Sequence, residues 1–430
     1  MNEPLIILES KSAKARLLLV GAIVVAVVFA WFSIRWELGS MLAELTPPSR
    51  PNAEQVSQLA RDLAPRDPQG MWLAASVEKE NFSPDSADRS VKMFEDLVRM
   101  SPNDFRSWID LGRAYEQAEI PEKAELAFRR AVELAPSYTF PHWQFGNFYL
   151  RQNRSDEAFV ELRKTTERSH VYREQVFSLA WDYFDKDPAQ VEALAADTPD
   201  VRATLALFYA ARGSADNALR VWNSLTDEQK ATNLDTAKRI ARGLFEKQRF
   251  RESLEFSVQT KIDSEAQLGT ITNGGFEKFI GNPGDNIFGW QIYRSDGKLD
   301  ILPDSSVKFE GAKSLRLTFR GYIKPELHNV VQFIAVEPGA RYRLSAMVRT
   351  DNLRSGGPPF LQVVSGKENI GIATSEPFAA GSADWKQVTI DFTVPSDFDG
   401  VSIRTGRANC GEGCAISGTL WYDDFRLTKL

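Results

Sequence analysis

The chain contains 430 residues, of which 43% are hydrophobic and 26% are charged, and its formal net charge is −6 at pH 7. This length exceeds what one compact core accommodates and predicts about two or three domains. The sequence has no basic block, and its net charge has the wrong sign for binding phosphates, so a nucleic-acid partner is not expected. Motifs such as H-E-x-x-H, G-x-S-x-G, the phosphate loop and the dinucleotide fingerprint do not occur either, so no enzymatic activity is predicted.

An uncharged apolar run from Leu17 to Ile34 follows a short polar tail at residues 1–16. As a helix this run would span about 27 Å, which is close to one hydrocarbon core. Basic residues are concentrated before the run, so the positive-inside rule places the tail in the cytoplasm and most of the chain beyond the membrane. We therefore predict a single transmembrane helix at residues 17–36 in the cell inner membrane, with the bulk of the chain periplasmic or extracytoplasmic. A cleaved signal peptide is the alternative, but the run is long and lacks a small-x-small cleavage site.

Residues 37–70 are expected to form a linker and a capping helix. The proline-rich stretch 46–51 is typical of a stiff extended spacer. After it, Asn52 is suited to cap a short helix whose apolar side holds Val56, Leu59 and Leu63. This helix is expected to close one end of the array that follows.

The stretch 102–136 has the spacing of a helical repeat, W-x2-L-G-x2-Y followed by A-x3-F and P. These positions are filled by Trp108, Leu111, Gly112, Tyr115, Ala124, Phe128 and Pro136. Residues three and four apart share one helix face, so the stretch predicts two helices packed against each other, with Gly112 allowing their close approach. It resembles the tetratricopeptide repeat family.

Weaker copies of the repeat lie on both sides, and the clearest occupy residues 139–172 and 199–233. We predict an all-α tetratricopeptide solenoid at residues 71–265, built from about five to six helical pairs. The resemblance implies a concave groove that receives a protein or peptide partner. Some members of the family clamp a carboxylate with basic residues, although ordinary solvated helix charges are the alternative here. The candidates are Arg106, Arg113, Arg151 and Arg154.

Hydrophobic residues alternate with a period of two beyond residue 270, for example in stretches 314–319, 341–348 and 419–427. Turn residues such as Pro338 and Gly339 separate these stretches. We predict about eight short antiparallel strands forming an all-β two-sheet sandwich at residues 270–430.

Several phrases of this region resemble the jelly-roll carbohydrate-binding modules. They are Asn273–Glu277, Gly289–Trp290, Gly311–Leu315, Val336–Gly339 and Trp421–Phe425. The resemblance implies a jelly-roll sandwich with a glycan ligand, although the same sandwich also serves other roles.

The resemblance also implies a structural calcium site. Glu277 on the first strand would hold Ca²⁺ together with Asp423 or Asp424 on the last strand and with backbone carbonyls, because hard oxygen ligands suit this ion. The alternative is that one carboxylate accepts hydrogen bonds from backbone amides and the other lies in solvent.

Sugar binding needs flat aromatic rings for the apolar face of a pyranose and polar forks for its hydroxyl groups. The aromatic candidates are Trp290, Tyr293, Tyr322 and Trp385, with core packing as the alternative. Strand alternation places five arginines on outward faces, and neighbouring strands would join them into a surface that suits an acidic polysaccharide. They are Arg316, Arg320, Arg343, Arg349 and Arg404. The alternative is a solvated face with compensating acids.

Cys410 and Cys414 are the only cysteines of the sequence. In an exported domain this close pair is expected to form a small disulfide loop. A metal site would need two further soft ligands, and the neighbouring sequence provides none.

Together these features predict a non-catalytic, membrane-anchored scaffold. Its solenoid would bind a protein partner and its sandwich a glycan, and an envelope or exopolysaccharide assembly system would combine those needs. A pure protein-protein adaptor without glycan binding is the first alternative. A glycan-cleaving enzyme is the second, because a glycosidase needs only two suitably placed carboxylates.

Overall fold

The computed structural model describes residues 13–81, 85–293, 297–322, 327–367, 369–407 and 414–430. The chain divides into two compact units, Met1–Val176 and Phe177–Leu430. The first unit is helical, and the second contains further helices followed by a β-sandwich.

The helices of the first unit follow one another at short intervals along the chain. They are α1 (Ala13–Glu44), α2 (Ala53–Leu63), α3 (Pro68–Glu80), α4 (Ser86–Met100), α5 (Phe105–Gln117), α6 (Pro121–Leu134), α7 (Thr139–Arg151) and α8 (Ser155–Arg168). Helix α9 (His170–Tyr183) begins in the first unit and ends in the second. The second unit continues with α10 (Pro188–Leu194), α11 (Pro199–Ala211), α12 (Ala215–Asn223), α13 (Asp227–Thr232), α14 (Leu234–Glu246) and α15 (Phe250–Gln259).

Helix α1 combines an exposed apolar part with a packed end. Its most apolar window has a mean hydropathy of 2.8 and is wholly unburied, so among the described residues it is the one helix long and apolar enough to cross a membrane. A signal sequence has the same properties. Towards its end, Gly39 and Ala43 are buried, and a Cβ atom on Gly39 would lie 2.8 Å from both Ala60 O and Ala64 Cβ. The last turns of α1 therefore pack closely against α2.

The prediction of an extended spacer at residues 46–51 is wrong. The chain turns back sharply after α1, because Arg50 N donates to Pro47 O (3.1 Å) and Ala53 N donates to Arg50 O (2.9 Å). Proline fixes φ at a value that suits a turn as well as an extended segment, so the prolines alone do not distinguish the two.

The helical repeat predicted at residues 102–136 consists of α5 and α6. A Cβ atom on Gly112 would lie 3.0 Å from the ring of Phe128, and one on Gly146 in α7 would lie 2.7 Å from Leu162 in α8. Glycine at this position thus lets a large side chain of the second helix reach the first. The all-α solenoid predicted from the spacing is confirmed.

The sandwich contains ten strands in the described residues. They are β1 (Gln291–Ile292), β2 (Leu299–Asp304), β3 (Ser314–Tyr322), β4 (Val330–Ala335), β5 (Arg341–Ser355), β6 (Pro359–Ser365), β7 (Gly371–Thr374), β8 (Gly381–Thr393), β9 (Gly400–Arg407) and β10 (Ile416–Lys429). Sheet I has the order β1-β4-β9-β6-β7, sheet II has the order β2-β3-β10-β5-β8, and neighbouring strands run antiparallel. The predicted all-β two-sheet sandwich is confirmed.

The core of the sandwich lies between the two sheets. Alternate residues of each strand point inward, such as Val363 and Ile403 from sheet I and Leu317, Leu344 and Leu420 from sheet II, and all five are nearly or fully buried. The residues between them face outward, so each sheet presents an outer face to its surroundings.

Candidate functional site

Two aromatic residues proposed for sugar stacking belong to the core. Trp290 is 5% exposed, its ring packs near Phe276 and Phe425, and its Nε1 donates to Asn273 O (3.0 Å). Tyr322 is 3% exposed, and its hydroxyl donates to Asn329 Oδ1 (3.3 Å). Neither ring is available to a sugar, so both predictions are corrected. The alternation of inward and outward side chains holds only within a strand. Trp290 directly precedes β1 and Tyr322 is the last residue of β3, so alternation does not predict which way they face.

The outward arginines of sheet II are paired with carboxylates. Strand β10 separates β3 from β5, so the four arginines do not lie on adjacent strands. Each has an acid nearby: Arg316–Asp304 (3.3 Å), Arg320–Asp300 (4.0 Å), Arg343–Asp391 (2.6 Å) and Arg349–Asp384 (3.4 Å). The hydrogen bond from Arg343 lowers the pKa of Asp391. This face fits the alternative of a solvated surface with compensating acids.

Arg404 lies on the other sheet and does not join these four residues. It sits on β9 in register with Val331 of β4 on one side and Gln362 of β6 on the other. Its Nε donates to Gln362 Oε1 (3.2 Å), and its Nη1 donates to Asn369 Oδ1 (2.7 Å). The two amides therefore orient the guanidinium group on the outer face of sheet I.

Two aromatic residues flank Arg404 on this face. Tyr293 is 47% exposed and directly follows β1, where its N–H donates to Asn329 O (2.8 Å). Phe360 of β6 faces Gly406 of β9, and a Cβ atom on Gly406 would lie 2.6 Å from its ring, so this ring lies over the β9 backbone. Three strand spacings of about 4.8 Å separate β1 from β6, which places the two residues roughly 14 Å apart across the sheet.

We call this surface the open strip and define it by Tyr293, Phe360, Gln362, Arg404 and Gly406. Tyr293 and Arg404 were predicted from the sequence, whereas Phe360 and Gln362 were missed. Strand alternation could have identified both residues, because Phe360 and Gln362 lie on either side of the inward-facing Leu361 in the sequence.

Another part of the outer face of sheet I is covered by α14 and α15. Phe250 and Leu254 of α15 form one buried cluster with Ala266, Phe288 and Ala335 of β4. Phe245 of α14 meets Phe333 of β4 edge-on, with ring centroids 5.0 Å apart. The helical pair thus bounds the open strip on one side.

The carboxylates proposed for calcium are partly brought together. Glu277 Oε1 accepts from Ala312 N (2.8 Å) and Lys313 N (3.2 Å). Asp423 is fully buried, and its Oδ2 accepts from Phe309 N (2.8 Å) and Glu310 N (3.2 Å). Burial raises the pKa of Asp423.

Both carboxylates converge on the backbone of Gly275. A Cβ atom built there would lie 3.7 Å from Asp423 Oδ1 and 3.9 Å from Glu277 Oε1. Both carboxylates thus accept hydrogen bonds from backbone amides, and the calcium site at Glu277 and Asp423 stays a prediction. Asp424 does not join them, because its Oδ1 accepts from Arg426 Nε (2.6 Å). Within the described ranges, no group of three or more His, Cys, Asp or Glu side chains is arranged to hold a metal ion.

The predicted disulfide stays a prediction, because Cys410 lies outside the described residues. Cys414 is 8% exposed, and its Sγ is 3.2 Å from Arg407 Nη2.

The arginines proposed for a carboxylate clamp in the solenoid do not form a cluster. Arg151 binds Glu116 through two bonds of 2.6 and 2.8 Å, and Arg154 Nη1 donates to Glu125 Oε2 (2.6 Å). Arg113 and the exposed Arg106 instead border a cavity of about 660 Å³ in the first unit. Aromatic side chains line this cavity as well: Trp72, Phe105, Tyr138 and Phe140.

Known proteins resemble both the helical part and the sandwich of this chain. Residues 268–406, which contain the open strip, match the model of the carbohydrate binding domain family. The helical part is similar to Superkiller protein 3 of Saccharomyces cerevisiae (28% identity over 22% of this chain and 7% of that protein) and to Tetratricopeptide repeat protein 37 of Xenopus laevis (29% identity over 19% and 6%). This chain thus spans less than a tenth of the length of either relative.

A solved structure described as "CBM4 structure and function" also matches, with 18% identity over 37% of this chain and 99% of that one and a TM-score of 0.29. By the family match and the two curated relatives, the chain combines a tetratricopeptide-like helical array with a sandwich that matches a carbohydrate binding domain. Both resemblances expected from the sequence are confirmed.

Proposed function

We propose that this protein is a non-catalytic, membrane-anchored scaffold whose sandwich binds an acidic glycan and whose solenoid binds a protein partner. The open strip carries the glycan part of the proposal. A pyranose stacks its apolar C–H face on an aromatic ring, and the strip offers two rings on either side of a guanidinium group. Arginine presents a planar fork that suits carboxylates, so uronic-acid chains are the favoured ligands.

The test measures binding of the full chain, held in detergent micelles, to polygalacturonate and to its methyl-esterified, neutral form. We expect tighter binding to the acidic form, and at least a tenfold loss in the variants Arg404→Ala and Tyr293→Ala. Arg343→Ala is the matched control, because Arg343 is exposed on sheet II and paired with Asp391. Absence of binding to any acidic glycan, or an equal loss in the control, would exclude this site.

The aromatic cavity of the first unit supports the proposal that the solenoid binds a protein partner. Tyr138 is 61% exposed and Phe140 is 36% exposed, and exposed aromatic residues are typical anchors of protein interfaces. A photo-crosslinking residue at position 140 is expected to give one discrete adduct that Tyr138→Ala abolishes. The same residue at Glu133, which is exposed on α6, serves as the control. Equal adducts at both positions would contradict a partner in the cavity.

The apolar part of α1 supports an anchor in the cell inner membrane, with the N-terminus in the cytoplasm and the bulk of the chain outside it. Protease added to spheroplasts is expected to digest the chain beyond residue 44 and to spare a tag on the N-terminus. Digestion of the tag instead would reverse the proposed orientation. Such an anchored glycan binder fits an envelope or exopolysaccharide assembly system.

A pure adaptor is the second candidate function, and one observation favours it. Part of the outer face of sheet I, at Phe333 and Ala335, is already covered by α14 and α15, so the sandwich itself is an internal packing partner of the helices. Arg404→Ala separates the two functions in cells. Loss of polysaccharide export with an intact protein complex supports the scaffold, and unchanged export supports the adaptor. Purified full chain is expected to release no reducing ends from polygalacturonate, and release would indicate a glycan-cleaving enzyme.

A further inference from the structure

The corner between α14 and α15 holds the sandwich at several points. Phe250 lies against Gly366 and Gly400, where Cβ atoms would collide with its ring. Arg251 N donates to Asp399 Oδ2 (2.9 Å), just before β9. Gly366 N in turn donates to Gly400 O (2.9 Å). The helical corner is therefore fixed to the start of β9 and to the end of β6.

Gln248 of this corner contacts the connection between β6 and β7. Its φ angle is +61°, which places it in the left-handed region between the two helices. From there its Nε2 donates to Lys367 O (3.1 Å). This bond joins the helical pair to a connection that follows β6 directly.

The same connection reaches Arg404 from its other side. Asn369, two residues beyond Lys367, accepts the bond from Arg404 Nη1 (2.7 Å). Lys367 and Asn369 are two positions apart in the sequence, so the Gln248 contact lies close along the chain to the amide that orients the guanidinium group. Loss of the Gln248 contact is expected to displace Asn369 and with it the direction in which Arg404 presents its fork to a ligand carboxylate.

We infer that Gln248, which lies outside the carbohydrate binding domain match, is a positioning residue of the glycan site. This inference rests on the proposed function of the open strip. Gln248 is exposed and touches no part of the strip itself. Its effect is confined to ligands that need an aligned Arg404, because ring stacking on Tyr293 does not depend on Asn369.

The test compares Gln248→Ala with the wild-type full chain for polygalacturonate and for its methyl-esterified form. Loss of one hydrogen bond predicts about a three- to tenfold weaker Kd for the acidic form. The Kd for the neutral form is expected to stay unchanged, which a general structural defect would not produce. Gln248→Asn is the second variant, since asparagine tolerates the left-handed region while its amide is too short to reach Lys367.

Arg242→Ala is the matched control. Arg242 belongs to the same helical pair, but it donates to Gly284 O (2.5 Å) in a different loop. In an Arg404→Ala background, Gln248→Ala is expected to have no further effect, because the two residues act in one chain of contacts. Equal losses for both glycans, additive losses in the double variant or an unchanged acidic Kd would overturn the inference. Absence of glycan binding in the wild type would instead overturn the proposed function itself.

Discussion

Gly39 offers a direct test of how the apolar helix joins the first repeat. We expect Gly39→Ala to destabilise the first unit, although alanine is favoured over glycine in a free helix by about 1 kcal/mol. The added methyl group would lie 2.8 Å from both Ala60 O and Ala64 Cβ, where no space exists. Overpacking of this kind costs about 1–3 kcal/mol, so a net loss of about 1 kcal/mol remains.

The same helix contains its own control. A Cβ atom on Gly21 has no neighbour within 4 Å, so Gly21→Ala is expected to leave stability unchanged or to raise it by up to about 1 kcal/mol through helix propensity. Thermal unfolding of the full chain in detergent micelles, followed by circular dichroism, measures both variants. For a unit of this size the loss corresponds to about 2–4 °C in Tm. Equal Tm values for the two variants would show that the end of α1 does not pack on α2 and that the connection between these helices is flexible.

Three further predictions concern charged groups. Burial alone would raise the pKa of Glu161, but hydrogen bonds, first of all with His142 at 2.5 Å, lower it. The ionised Glu161 therefore stabilises the fold above its ordinary pKa of 4.5, and this stabilisation is lost as the pH falls below that value. The Tm of the wild type is expected to exceed that of Glu161→Gln at neutral pH, and the difference is expected to disappear in acid. Arg173, which is 2% exposed, binds two carbonyl groups at the end of α8, and Arg173→Met is expected to cost about 1–3 kcal/mol in chemical denaturation. If Glu277 and Asp423 hold Ca²⁺, a hundredfold excess over Kd stabilises the wild type by about 2.7 kcal/mol, whereas Glu277→Gln gains nothing; identical Tm values in calcium and in chelator would refute this site.

The helical half was predictable because its spacing is dictated by packing. Gly112 and Phe128 stand at their positions in the sequence pattern for the same reason that they touch in the structure. The stretch 46–51 was misjudged because proline restricts φ without deciding whether the chain extends or turns. The turn brings the end of α1 against α2, a packing that the local sequence does not reveal.

The sandwich was predictable as a fold but less so as a site. Alternation correctly put Arg316 and Arg343 on an outward face, yet their partners Asp304 and Asp391 come from other strands and are invisible to local periodicity. Arg404 was assigned to an arginine-rich face, but strand order places it on the opposite sheet. Strand order depends on long-range pairing, which a single sequence does not encode locally.

The packing of Phe250 on Gly366 and Gly400 determines where a fragment containing the sandwich should begin. A fragment cut at residue 268, where the family match begins, loses Phe245 and Phe250 and bares the apolar side chains of Phe333 and Ala335. Such a bared surface favours self-association. A fragment that starts at Leu234 keeps both helices over Phe333 and Ala335, but it bares the apolar face of α14 that packs on α11.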